Sequence, residues 1–166
     1  HLLFLINQLL DISKIEAGKM ELEEQVFSFK QITSSVEDLL KPLAVQKSLE
    51  YHTIISDSVP DSLIGDPERI RQIFINIAGN AVKFTPHGSV TVQLEAEDLS
   101  DVQVLIHLKV SDTGIGMSEG LQQKIFEVFT QGETGLARSF GGTGLGTTIA
   151  KELVELMNGR ITVKSQ

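Results

Sequence analysis

Apolar residues recur along the chain with two periods, and the switches between them mark out the elements. At the start, Leu2, Leu5, Leu9 and Ile12 are spaced by 3, 4 and 3, a helical seam of the coiled-coil kind. Gly18 is a stop signal for it. So short an amphipathic helix predicts either an arm of a dimerising hairpin or a helix laid on its own domain. After a brief apolar stretch at Val26, Phe27 and Phe29, the positions Ile32, Val36, Leu39, Leu40, Leu43 and Ala44 predict a helix over about 30–47. Leu49 to Ile55 reads as a strand, and Asp57 to Asp66 as a loop carrying Pro60 and Gly65.

Asp66-Pro67-Glu68 is a helix start: an N-cap, proline at the first helical position and an acid in the first turn. The helix is expected to run to about Phe84, where Pro86 and Gly88 stop it. Ser89–Glu97 and Val102–Ser111 suit strands joined by the acidic turn Asp98 to Asp101. A glycine-bearing loop, Asp112–Met117, leads to a short helix from Ser118. A glycine-rich segment then runs from Gln131 to Gly146, followed by a helix to about Met157 and a strand from Arg160. The expected architecture is α+β, with three helices against one face of a mixed sheet.

Composition narrows the chemistry. With 166 residues the chain allows one domain plus an appendage, and 41% hydrophobic content suits a globular core. Eight Phe, one Tyr and no Trp make that core mostly aliphatic. The absence of cysteine excludes disulfides and thiolate zinc sites, and fits a reducing compartment. No apolar run approaches the ~20 residues that span a bilayer, and no signal-peptide pattern opens the chain. A soluble, cytoplasmic piece is expected, with the anchoring of any longer parent left open. A formal charge of −8 without a basic run argues against nucleic acid as a partner. A small phosphorylated ligand stays possible, because backbone N–H groups and a metal can supply local positive potential.

Three segments carry candidate chemistry. Arg69, Gln72, Asn76, Asn80 and Lys83 form one polar stripe on the helix after Asp66, opposite Ile70, Ile73, Phe74, Ile77 and Ala81. Asparagine is a mediocre helix former. The stripe is either a solvated face or a site where paired amides take a hard metal through oxygen and phosphate through nitrogen. Asp112-Thr-Gly-Ile-Gly116 follows a strand. It is either a turn with two positive-φ glycines or a carboxylate poised to accept from an exocyclic amine, with Gly114 and Gly116 shaping the backbone. Gly141-Gly-Thr-Gly-Leu-Gly146 opens a helix and can aim N–H groups at an anion. It is neither a dinucleotide fingerprint nor a Walker loop, for it lacks the surrounding βαβ unit and a following Lys-Ser or Lys-Thr. The polar stretch before it suits a mobile lid, in which Arg138 is either surface charge or a reach toward a terminal phosphate.

In this order, the segments resemble the sensor histidine kinases, within the ATPase superfamily shared with gyrase, the heat-shock chaperone and the mismatch-repair ATPase. Asn76 to Phe84 resembles the family's N box, Asp112 to Gly116 its G1 box, Ile125 to Phe129 its F box, and Gly141 to Gly146 its G2 box. Leu9 to Gly18, LLDISKIEAG, is similar to the end of the second dimerisation helix, especially in hybrid kinases. The resemblance implies a two-layer α/β sandwich over residues 21–166, preceded by a partial dimerisation helix over 1–20, with ATP held between helices and lid. By position, it implies that Asn80 holds Mg²⁺ while Asn76, Lys83 and Arg138 serve the phosphates. Asp112 then reads the adenine amine, Gly114 and Gly116 shape its pocket, and Gly142, Thr143, Gly144, Leu145 and Gly146 flank the phosphates. The implied partners are a histidine-bearing dimerisation domain of the same kinase, a response-regulator receiver domain, and a second copy in a full-length homodimer.

Some positions depart from the family pattern. The superfamily's true ATPases usually carry Glu where Asn76 stands; an amide cannot take a proton from water, which suits a kinase rather than a hydrolase. His1, His52, His87 and His107 lack the Ser-His-Glu type setting of an acceptor, so the acceptor is expected outside this chain. The chain ends before the family's final strand, and Thr147 stands where an aliphatic residue is usual. The rival expectations are a non-catalytic regulatory module that binds nucleotide, or nothing, and works through its dimerising helix, and a superfamily ATPase that hydrolyses ATP to drive a clamp.

Overall fold

The computed structural model describes residues 2–127 and 144–165. Its elements are α1 (Leu2–Glu16), β1 (Gln25–Phe27), α2 (Phe29–Gln46), β2 (Glu50–Ile55), β3 (Leu63–Gly65), α3 (Pro67–Phe84), β4 (Ser89–Ser100), β5 (Gln103–Asp112), α4 (Glu119–Lys124) and α5 (Gly146–Leu156). They fall into two compact units, Glu23–Ile115 and a second made of His1–Leu22 with Gly116–Gln166. No described helix is long and apolar enough to cross a membrane.

In the unit Glu23–Ile115 the strands run in the order β2-β4-β5, with β2 parallel and β5 antiparallel to β4. This is the mixed sheet expected. Val90, Val92 and Leu94 are buried on alternate positions of β4, and α2 and α3 cover that face. From the helices come Ile32, Val36, Leu40 and Ala44, and Phe74, Ala78, Ala81 and Val82, giving the aliphatic core that the composition implied. Phe27 meets Phe29 edge to face at 5.2 Å, and Phe29 lies 6.2 Å from Phe74. The third expected helix, α5, belongs to the other unit.

Three expectations need correction. Residues 63–65 form a strand, β3, antiparallel to β1, where a loop was expected. Three residues whose partner lies far off in sequence carry too short a pattern to read as a strand. The β4–β5 hairpin closes two residues later and tighter than expected, at Asp101–Val102, with a register irregularity between Asp98 and Ser100. Since β2 ends at Ile55 opposite Leu94, residues from Glu95 onward project as a two-stranded arm. Its tip leaves Leu99 and Val102 exposed by 60% and 90%. Finally, residues 160–165 are not a strand. Ser165 is held instead by a side chain: its N–H donates to Gln122 Oε1 at 3.1 Å and its carbonyl accepts from Gln122 Nε2 at 3.2 Å.

In the other unit α1 packs along α5. Ile12 is buried and Leu9 is 48% exposed; the side chains of Leu2 and Leu5 lie outside the description. α1 stops as its Gly18 signalled. Gly18 has φ +62, its N–H reaches the Ile15 carbonyl, and the Lys19 N–H reaches that of Lys14, which is the Schellman pattern. α2 and α5 close the same way around Ser48 and Asn158, both left-handed without being glycine.

The end of α3 is held differently. Lys47, just beyond α2, donates from Nζ to the Val82 and Lys83 carbonyls at 2.8 and 2.6 Å. A cation at a helix C-terminus also meets the negative end of the helix dipole. Lys47→Met keeps the apolar stem and removes these bonds. It is expected to lower stability by about 2 kcal/mol, read from the urea midpoint at unchanged slope.

Candidate functional site

The polar stripe lies on α3, whose start is fixed by Asp66. Its Oδ1 accepts from the Arg69 N–H at 3.0 Å and its Oδ2 from the Glu23 N–H at 3.1 Å, so the cap also ties down the chain entering β1. Along the stripe the side chains divide. Arg69 Nη1 donates to Gln72 Oε1 at 2.9 Å, a pairing within the helix surface. Asn76, one turn on, is 9% exposed, and its Nδ2 is buried with no hydrogen-bond partner among the described residues. A buried amide left unsatisfied costs about 1–3 kcal/mol, so it does not fit a merely solvated face. Asn80 and Lys83 are half-buried. Burial lowers the Lys83 pKa from its ordinary value, and its ammonium sits 4.9 Å from the Phe84 ring centre.

The Asp112 segment is stitched to the end of this same helix. Asp112 Oδ1 accepts from the Gly114 N–H at 2.8 Å, while Oδ2 makes no hydrogen bond among the described residues. The Ile115 N–H donates to the Phe84 carbonyl at 3.3 Å. Thr85, fully buried, donates from Oγ1 to the Ala81 carbonyl at 2.7 Å. Thr113 Oγ1 accepts from the Ser89 N–H at 3.0 Å and donates to the His87 carbonyl at 3.3 Å. Two glycines permit this. A Cβ on Gly114 would stand 2.7 Å from the Phe84 carbonyl oxygen, and one on Gly88 would stand 2.1 Å from Thr113 Oγ1. Gly114 is therefore required by close approach rather than by a positive φ; in this segment only Gly116, at φ +67, takes the left-handed conformation.

Lys47, Thr85 and Thr113 were not singled out from the sequence. The Thr85 hydroxyl does lie beside a helix stop, which is a detectable signal. Lys47 gives none, because its partners are carbonyls some 35 residues away.

In the other unit, Ser118 caps α4 by accepting from the Leu121 N–H at 3.3 Å. The Met117 N–H donates to Ser165 Oγ at 2.8 Å, and its carbonyl accepts from Gln122 Nε2 at 2.9 Å. Gly144 has φ +69, and α5 begins at Gly146 after Leu145 as N-cap residue, whose side chain makes no cap hydrogen bond. Thr147 Oγ1 donates to the Ile125 carbonyl at 2.7 Å. Arg138, Gly142, Thr143, the expected lid and the last two residues of the F-box match lie outside the described residues. Among the described residues no three His, Asp or Glu side chains gather as a metal cage.

Residues 65–166 match the family model for the histidine kinase-, DNA gyrase B-, and HSP90-like ATPases. The chain is 45% identical over 164 residues to the sensory/regulatory protein RpfC of Xanthomonas campestris, which spans 98% of this chain and 23% of that protein. It is 42% identical over 166 residues to the signal transduction histidine-protein kinase BarA of Escherichia coli, covering 100% of this chain and 18% of BarA. The chain thus spans about a fifth of the length of these relatives. Among solved structures it is similar to full-length ShkA in complex with AMPPNP, with a TM-score of 0.80 and 33% identity over 95% of this chain and 31% of that one. Given the mixed sheet with its helices, the order of the motifs and these likenesses, the chain belongs to the histidine kinase-, DNA gyrase B- and HSP90-like ATPase family, as an ATP-binding catalytic domain of the sensor histidine kinase type.

Proposed function

We propose that this domain passes the γ-phosphoryl group of ATP to a histidine supplied by a dimerisation domain, from which a receiver aspartate takes it. The observation that carries this reading is Asn76, a buried amide with an idle Nδ2 in the middle of α3. Such a group is costly unless a ligand supplies the acceptor, and phosphate oxygens are acceptors only. Lys83, half-buried in the last turn of the same helix, adds a positive charge at reduced hydration cost.

On the base side, Asp112 keeps Oδ2 to accept from the adenine amine while the Gly114 N–H fixes Oδ1. Gly114 and Gly116 let the backbone pass close to a flat ring. In the other unit, the start of α5 with Gly144 and Gly146 is the counterpart by position of the family's phosphate loop, and a helix N-terminus favours an anion. Mg²⁺, when bound, would be held by the Asn80 carboxamide oxygen and would neutralise developing charge on the phosphates. Asn76 supplies no base for water, so the nucleotide is spared hydrolysis while it awaits an acceptor.

None of the described histidines suits the role of acceptor. His52 and His107 project from strands beside Glu50 and Glu97, at 3.3 and 3.6 Å, and His87 lies in an exposed turn. α1, similar in sequence to the end of a dimerisation helix, is the element through which a second copy would be met in the whole protein.

Incubated with γ-labelled ATP, residues 1–166 are expected to take no acid-labile, alkali-stable label. They are expected to label a separately added dimerisation hairpin that carries its histidine. Absence of transfer in that mixture, with ATP bound, would overturn the kinase assignment. Asp112→Asn should weaken ATP by roughly 10- to 100-fold, the worth of one charge-assisted hydrogen bond, and leave GTP little changed; equal loss for both in titration calorimetry would remove the adenine role. Asn76→Ala should unfold later than wild type without nucleotide, by about 1 kcal/mol, yet lose most of the stabilisation that added ATP gives. Both are read from thermal melts with and without ATP.

A further inference from the structure

Thr147 is the position at which this chain leaves the family's aliphatic pattern, and the nucleotide reading makes no use of its hydroxyl. The structure gives that hydroxyl a definite task. Its Oγ1 donates at 2.7 Å to the carbonyl of Ile125, 22 residues earlier. Ile125 is the C-cap residue of α4, with φ −58 and ψ −21, so its carbonyl stands past the last helical turn, where a helix cannot satisfy its own acceptors. Thr147 is the second residue of α5. A threonine in a first turn has no helical carbonyl four residues back to fall on, and here it bonds to a different helix. Nor is a paired hydroxyl the rule at this end of α5: Thr148, the next residue, is buried with Oγ1 unpartnered among the described residues.

We infer that Thr147 is a positioning residue: its hydroxyl fastens the first turn of α5, and with it the Gly144-Leu145-Gly146 backbone, to the end of α4. The turn is then already in place when phosphates arrive. Groups held in their binding geometry beforehand spare the ordering cost that loose ones incur on association. An aliphatic residue here could hold α5 only by packing, which is non-directional; the hydrogen bond fixes one carbonyl to one hydroxyl. The inference rests on the nucleotide reading and extends it to a residue that the family pattern does not supply.

Three ligands and two variants test it. Titration calorimetry with ATP, ADP and adenosine is run on wild type, Thr147→Val and Thr147→Ser, with a thermal melt of each. Valine keeps the shape and loses the donor; serine keeps the donor. The expected result is that Thr147→Val weakens ATP and ADP by about fivefold, the worth of one neutral hydrogen bond, and leaves adenosine unchanged. Thr147→Ser should return both nucleotides to within about twofold of wild type. Equal loss for all three ligands would mean general loosening and overturn the inference. So would unchanged ATP affinity in Thr147→Val while wild type binds ATP. A wild type that binds none of the three overturns the nucleotide reading, and this inference with it.

Discussion

Every helix must dispose of its last four carbonyls, and how α3 does so organises the unit Glu23–Ile115. α3 ends at Phe84, so the orphans are those of Ala81, Val82, Lys83 and Phe84. Ala81 is taken by the backbone N–H and hydroxyl of Thr85, Val82 and Lys83 by the Lys47 ammonium, and Phe84 by the N–H of Ile115. Each partner comes from a different part of the chain: the helix's own cap, the end of α2, and the segment after β5. One helix end thereby brings α2 and the Asp112 loop to a common point. The candidate residues Lys83 and Asp112 sit at that junction, and their placement follows from backbone bookkeeping rather than from any contact between their own side chains.

Much of this was legible in the sequence because the signals were local. Asp66-Pro67 at one end and Pro86 with Gly88 at the other bracket α3, and the segment from Ser89 reads as the strand β4, in which Val90, Val92 and Leu94 face inward. What was not legible depended on distant partners. β3 exists because β1 runs beside it, and a three-residue strand between Pro60 and Asp66 has no pattern of its own. The strand expected from Arg160 had the right composition, but a ladder needs a neighbour, and at Ser165 a glutamine side chain takes the place of one. The Asp112 segment was read with two alternatives open. Its glycines turned out to differ in kind: Gly116 for its dihedral angle, Gly114 for the carbonyl it would otherwise strike. Periodicity cannot separate those causes.

The stripe on α3 shows how a single helix holds residues of opposite purpose. Arg69 donates to Gln72, and Phe74, Ala78 and Val82 fill the core. Asn76 alone combines burial with an unmet donor. A residue that weakens the unliganded fold is tolerable where a ligand restores the balance.

The arm beyond Leu94 has a consequence for how copies of this protein behave at high concentration. At the base of the arm the Ala96 N–H is taken by Ser58 Oγ at 3.0 Å; beyond it, the edge of a two-stranded ribbon is a template on which other chains can add as further strands. The exposed Leu99 and Val102 would favour such growth. Glu95, Glu97, Asp98 and Asp101 stand along the same few residues. Stacking one arm edge to edge on another would bring carboxylates face to face, and like charges set opposite one another across a ladder are repulsive. Acids so placed disfavour that pairing, in the way charged residues flanking an apolar edge do.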